Sequence, residues 1–137
     1  IKAQLLFYPA VNLDADAIDY GVLKDGPWLS KANLKWAWSY YFTSKDDLKT
    51  PYISPVYATV KQLVGQPPTL VITDDCGPLK TSGETYAKKL IAAGVDVTAV
   101  RYFGITHDFM MLNALKDTPA AKAARAEACH FLHSLED

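Results

Sequence analysis

Apolar residues fall along the chain in three short, nearly unbroken runs, separated by longer segments with helical spacing. Lys2 to Tyr8 is mostly apolar and stops at Pro9, which suits a buried strand. Behind Pro67-Pro68, the β-branched run Thr69-Leu70-Val71-Ile72-Thr73 predicts a second buried strand, and the alternating stretch from Asp96 to Phe103 predicts a third. Between the first two, Ser30 is placed to cap a helix from about Lys31 to Phe42, with Leu34, Trp38 and Tyr41 on one face. Ser82 to Ala93 reads as an amphipathic helix: Tyr86, Leu90 and Ala93 lie on one side, Lys88 and Lys89 on the other, and Gly94 stops it. Pro119 to Leu135 is an Ala-rich helix. Asn12 to Gly26, with Asn, Asp and Gly and little periodicity, reads as a loop, and Asp46 to Pro55 with its two prolines as an ordered but irregular segment. Strand, helix, strand, helix, strand, helix in that order implies three parallel strands with flanking helices and right-handed crossovers.

Composition narrows the functional classes. The 137 residues carry 14 Lys+Arg against 15 Asp+Glu, a net charge of −1, and no basic run. Phosphate binding needs clustered positive charge, so nucleic acid is excluded as a partner. Half the residues are hydrophobic, enough for one real core. No run approaches the roughly 18 to 20 apolar residues that span a bilayer, and the first residues lack a charged lead followed by an apolar stretch, so the expectation is a cytoplasmic protein without a membrane span. Cys76 and Cys129 are far apart and form no C-x-x-C pair, which predicts reduced thiols. Cys129, His130 and His133 share a helix but have no further ligands in sequence reach. They read as a buried cysteine with two boundary histidines, and no metal is expected. The chain opens on Ile1 and enters a strand directly, which reads as the interior of a larger domain.

In open parallel sheets, chemistry gathers in the loops beyond the carboxyl ends of the strands. Two such loops here are loaded: Asp74-Asp75-Cys76-Gly77-Pro78-Leu79 after the second strand, and Gly104-Ile105-Thr106-His107-Asp108-Phe109 after the third. An imidazole at one strand end and a carboxylate at the next is how a general base and its orienting acid are brought together.

Several stretches then carry a family resemblance: Leu6-Phe7-Tyr8-Pro9, Ile53-Ser54-Pro55, Pro67 to Thr73, Pro78-Leu79 with Gly83 to Leu90, Ala92 to Val95, Arg101 to Gly104, and His107-Asp108-Phe109. In order and spacing they resemble the C-terminal half of the α/β-hydrolase esterases of the hormone-sensitive-lipase type, over nearly the whole chain. The resemblance implies the C-terminal part of an α/β-hydrolase fold spanning residues 1–137, and a serine carboxylesterase or lipase-like hydrolase of small acyl esters that needs no cofactor. His107 stands at the family's catalytic histidine, with Asp108 where a glycine usually follows. The family's acid position, directly before Pro-Leu, is Gly77 here, which cannot accept a hydrogen bond from the imidazole through a side chain. Asp75 is taken as the substitute acid, with Asp74 and the more distant Asp14 as alternatives. Phe109, with Met110 and Met111, either faces substrate or packs internally.

No Gly-x-Ser-x-Gly elbow and no oxyanion glycine loop occur in these residues. The resemblance therefore implies that an N-terminal half supplies both, and that this chain alone is inactive. The alternative is a catalytically degenerate relative that binds a ligand or partner through the old cleft. The first strand reads as an interior one, so it is expected to pair with another polypeptide. That is the N-terminal half of the same fold, with association to a second copy of the chain left open.

Overall fold

Strands β1 (Gln4–Phe7), β2 (Thr69–Asp74) and β3 (Val97–Tyr102) form one parallel sheet, as the run pattern predicts, and lie in the order β1-β2-β3. The computed structural model describes residues 1–42 and 44–135. Gln4 pairs with Thr69 and Phe7 with Ile72; on the other side Thr69 pairs with Val97 and Asp74 with Tyr102. The central strand β2 is buried at all six positions, as a strand covered on both faces must be. Among the described residues, the outer edges of β1 and β3 have no strand partner.

The pleat divides β2 between two cores. Leu70 and Ile72 face one side, where they meet Tyr8, Ile105, Phe109, Ala121 and Ala124. Burying each of these two aliphatic side chains stabilises the fold by about 1.5–3 kcal/mol. Helix α4 (Pro119–His133) covers this face and buries only Ala121, Ala124 and Ala128, whose small side chains let its axis approach the sheet closely. Thr118 caps it by accepting from the Ala121 amide, and Pro119 occupies the first helical position, where a missing N–H costs nothing. On the opposite face lies α3 (Lys80–Ala92), with Tyr86 and Leu90 packed among Val11, Leu63 and Val95. Gly94, at φ +78°, ends α3 in the left-handed conformation, and the Val95 amide turns back to the Leu90 carbonyl.

Helix α1 (Lys31–Trp38) begins where expected: Ser30 accepts from the Asn33 amide, and the Asn33 side chain returns a bond to the Ser30 amide. It ends four residues before the predicted limit. Leu34 and Trp38 are buried against Leu13, Ile18 and Tyr20, but Tyr41 is exposed, because no core lies beyond Trp38 to hold a further turn. Of the aromatic residues in and around α1, Trp38 is buried and Phe42 half-buried, whereas Trp28, Trp36, Tyr40 and Tyr41 face outward. The one-turn helix α2 (Val60–Leu63), capped by Thr59 and Gln62, has too short a pattern to be read from sequence. Cys129 is exposed rather than buried, since Ala128 takes the inward position of that turn. No helix among the described residues is long and apolar enough to cross a membrane.

Candidate active site

The loops leaving β2 and β3 are sewn together by main-chain bonds. The Asp75 amide donates to the Tyr102 carbonyl (2.9 Å) and the Cys76 amide to the Ile105 carbonyl (3.0 Å). Gly104 makes the reversal after β3 at φ +69°, a conformation glycine adopts without steric penalty. Beyond it, Phe109 is fully buried against Tyr8 (5.7 Å between centroids) and Tyr102 (6.0 Å). That anchor fixes the loop that carries His107.

His107 is held from three sides. The Tyr8 ring meets the imidazole edge-on, with centroids 4.6 Å apart. Burial, reinforced by the charge of Asp108 and less strongly by that of Asp74, pushes the Tyr8 phenol up to about 12, so it stays neutral beside the site. Nδ1 lies 3.8 Å from Asp74 Oδ2, and Nε2 lies 3.4 Å from Asp108 Oδ1. The His107 side chain is 12% exposed and the Asp74 side chain 2%. Nδ1 of His107 and Oδ1 of Asp74 are both buried without a hydrogen-bond partner. An unsatisfied buried polar atom costs about 1–3 kcal/mol, so both side chains carry a stability cost in this arrangement.

Asp75, the acid expected to face His107, does not. Its carboxylate lies 3.5 Å from Lys80 Nζ, and the same ammonium donates to the Asp75 carbonyl at 2.6 Å. The pleat explains the exchange: Leu70, Ile72 and Asp74 point to the Tyr8 and Phe109 side, and the residues between them point to the α3 side, where Thr73 donates to Glu84. Period-two counting carried one residue past Thr73 is the signal that selects Asp74. Phe109 packs in the core and has no surface to offer a substrate; Met111 is exposed and Met110 half-buried. Asn12 is a loop anchor: its side-chain oxygen accepts from the Asp14 amide, while Ser54 accepts from Leu13.

Asp108 and Trp28 were not singled out as a pair in the sequence. Both have positive φ, +64° and +65°, and the Trp28 indole donates to Asp108 Oδ2 at 2.9 Å. Thr106 Oγ1 also donates to the Pro27 carbonyl, so the 26–28 turn is strapped to the histidine loop. A groove of about 690 Å³ near the end of α1 is lined by Leu13, Asp16, Trp38, Phe42 and Leu48 among others, and includes neither Asp74 nor His107.

A buried carboxylate behind one imidazole nitrogen is an arrangement that suits a general base, with the second nitrogen here facing Asp108. Comparisons with known proteins show the family. The family described as alpha/beta hydrolase fold matches residues 1–111. Protein R526 of Acanthamoeba polyphaga mimivirus is 39% identical over 121 residues, 88% of this chain and 35% of its own length. The carboxylic ester hydrolase LipN of Mycobacterium tuberculosis is 36% identical over 120 residues, 86% of this chain and 31% of its own. Among solved structures, a thermostable esterase from Pseudomonas putida ECU1011 superposes with a TM-score of 0.88 at 42% identity, covering 93% of this chain and 40% of that one. The chain therefore spans well under half the length of these relatives.

Proposed function

The chain belongs to the alpha/beta hydrolase fold family, and from that premise we propose that it forms part of a serine carboxylesterase acting on small acyl esters, to which it contributes the general base His107. The observation that carries the reading is the juxtaposition of His107 with the buried Asp74 carboxylate at neighbouring strand ends. In this mechanism Nε2 takes the proton of a serine hydroxyl as the hydroxyl attacks the ester carbonyl. The imidazolium then returns that proton to the departing alcohol, and a second cycle delivers water to the acyl-enzyme. Nucleophile and oxyanion donors come from the remainder of the fold, consistent with the 35% of R526 that this chain spans. The open edge of β1 is where that remainder joins: an unpaired row of main-chain donors and acceptors beside a buried strand calls for another strand. A cytoplasmic site of action completes the proposal and rests on the two unpaired cysteines.

Gly77 is the ground for a degenerate, ligand-binding relative, since it removes a carboxylate from its expected place. A buried carboxylate faces His107 from Asp74 instead, which favours the enzyme. The test is hydrolysis of p-nitrophenyl acetate by the complete protein that carries these residues, with labelling by a serine-reactive phosphonate. His107→Ala is expected to remove nearly all turnover. A complete protein that neither hydrolyses the ester nor takes the label, or a His107→Ala variant of undiminished rate, refutes the proposal.

A further inference from the structure

We propose that Asp74 is the positioning acid of this site, fixing the tautomer and orientation of His107, and that Gly77 is the residue that makes room for it. This deepens the esterase reading and rests on it for its kinetic consequences. Three observations support it. The Asp74 side chain is nearly inaccessible, one of its oxygens has no donor, and the other faces His107 Nδ1, itself without a partner. A small rotation of the imidazole or the carboxylate turns the 3.8 Å approach into a hydrogen bond in which Nδ1–H donates to Oδ2; such contacts are often long until substrate is bound. Asp75, the rival acid, is occupied by Lys80 on the α3 side.

The third observation concerns residue 77. A Cβ placed on Gly77 would lie 1.8 Å from Asp74 Oδ1, 2.6 Å from Cγ and 2.8 Å from Oδ2. The Asp74 carboxylate therefore fills the volume that any side chain at 77 would claim. An acid can reach this spot from the end of β2 or from the following turn, but not from both. Glycine at 77 is then a requirement of the Asp74 arrangement rather than a lost function.

Mutual exclusion gives a test that simple loss of a structural residue would not reproduce. In the complete protein, Asp74→Asn is expected to lower kcat on p-nitrophenyl acetate by about 10³–10⁴-fold with little change in KM, because the amide can donate to Nδ1 and hold the imidazole in the wrong tautomer. Gly77→Asp alone is expected to lower kcat as well, since its side chain collides with the carboxylate already present. The double variant Asp74→Gly/Gly77→Asp is expected to recover to within about tenfold of the parent, the acid having been moved rather than lost. Ring ¹⁵N NMR of His107 reports the tautomer without reference to ester hydrolysis: protonation on Nδ1 in the parent and the double variant, on Nε2 in Asp74→Asn. An Asp74→Asn variant with parental kcat and tautomer, or a double variant no better than Asp74→Gly, overturns the proposal. A parent that hydrolyses no ester but shows the Asp74-dependent tautomer refutes the esterase reading and leaves the positioning role standing.

Discussion

The Trp28 indole N–H donates to Asp108 Oδ2 at 2.9 Å, while the other oxygen of the same carboxylate stands 3.4 Å from His107 Nε2. In the proposed mechanism Nε2 receives the nucleophile's proton, so Asp108 would compete for that edge of the imidazole, and Trp28 restrains it. Removing the restraint frees the carboxylate to close on the imidazole and favour its proton on Nε2, which then donates to Oδ1 in a charge-assisted hydrogen bond of about 1.5–3 kcal/mol. Trp28→Phe is therefore expected to lower kcat of the complete protein by about tenfold or more. Trp28→Phe/Asp108→Gly is expected to restore most of the loss. Steady-state kinetics on one ester checks both; a Trp28→Phe enzyme as fast as the parent contradicts the competition.

A second pair ties α3 to the strand that leads into the histidine loop. Arg101 donates from Nε and from its terminal nitrogen to the two oxygens of Glu84, each at 2.7 Å. The Arg101 hydrogen bonds hold the Glu84 carboxyl below its ordinary 4.5. A depressed acid stabilises the fold fully above its unfolded value, and that contribution is lost as pH falls through the folded value. Both side chains are partly exposed, so the pair is worth at most about 1 kcal/mol. Urea midpoints of the parent and Arg101→Met should differ by that amount near neutral pH and converge as the solution is acidified below the unfolded value of Glu84. A constant difference across that range counts against the pairing.

How much of this was legible in the sequence depends on the range of the interactions involved. The buried β-branched run at Thr69 to Thr73 announces a central strand because a strand covered on both faces has no alternative composition. His107 was legible from its place after β3. Which carboxylate faces it was not, because Asp74 and Asp75 are chemically alike and differ only in pleat parity, which a reading of the turn as a polar cluster discards. Tyr41 faces outward for a related reason: helical spacing shows which residues share a face, but not whether a core exists on that side. Phe109 belonged to the core for the opposite reason, as its burial depends on Tyr8, about a hundred positions away in the chain.

That placement separates two accounts of Phe109. A residue lining a substrate pocket affects KM when trimmed and leaves stability nearly unchanged. A fully buried ring among Tyr8, Tyr102 and Ile72 loses its transfer free energy and leaves a cavity. Phe109→Ala is expected to destabilise by about 3–5 kcal/mol and Phe109→Leu by less, with KM of the leucine variant unchanged. Denaturant unfolding alongside ester kinetics checks this; a leucine variant with parental stability and a raised KM would return Phe109 to the substrate pocket.

Gly83 sets how closely α3 can approach the strand that ends in Asp74. A Cβ there would meet Thr73 Cγ2 at 3.3 Å and the Pro9 ring carbons at 3.5 Å, so the helix rests on β2 and on Pro9, two residues beyond β1, with almost no clearance. Glycine inside a helix costs about 0.5–1 kcal/mol relative to alanine, through the greater freedom it loses on folding. In Gly83→Ala that gain is set against the few tenths of an ångström by which Thr73 must give, and stability is expected to stay within about 0.5 kcal/mol of the parent. Gly83→Leu drives three further carbons into occupied space, which costs about 1–3 kcal/mol. The strain falls on Thr73, whose hydroxyl donates to Glu84 at 3.2 Å and whose neighbour is Asp74. The leucine variant is therefore expected to lose kcat as well as stability, because moving the end of β2 moves the carboxylate that faces His107. Urea midpoints and kcat measured on the same preparations decide the matter: a leucine variant that is destabilised but fully active would mean that α3 can lift away without disturbing Asp74.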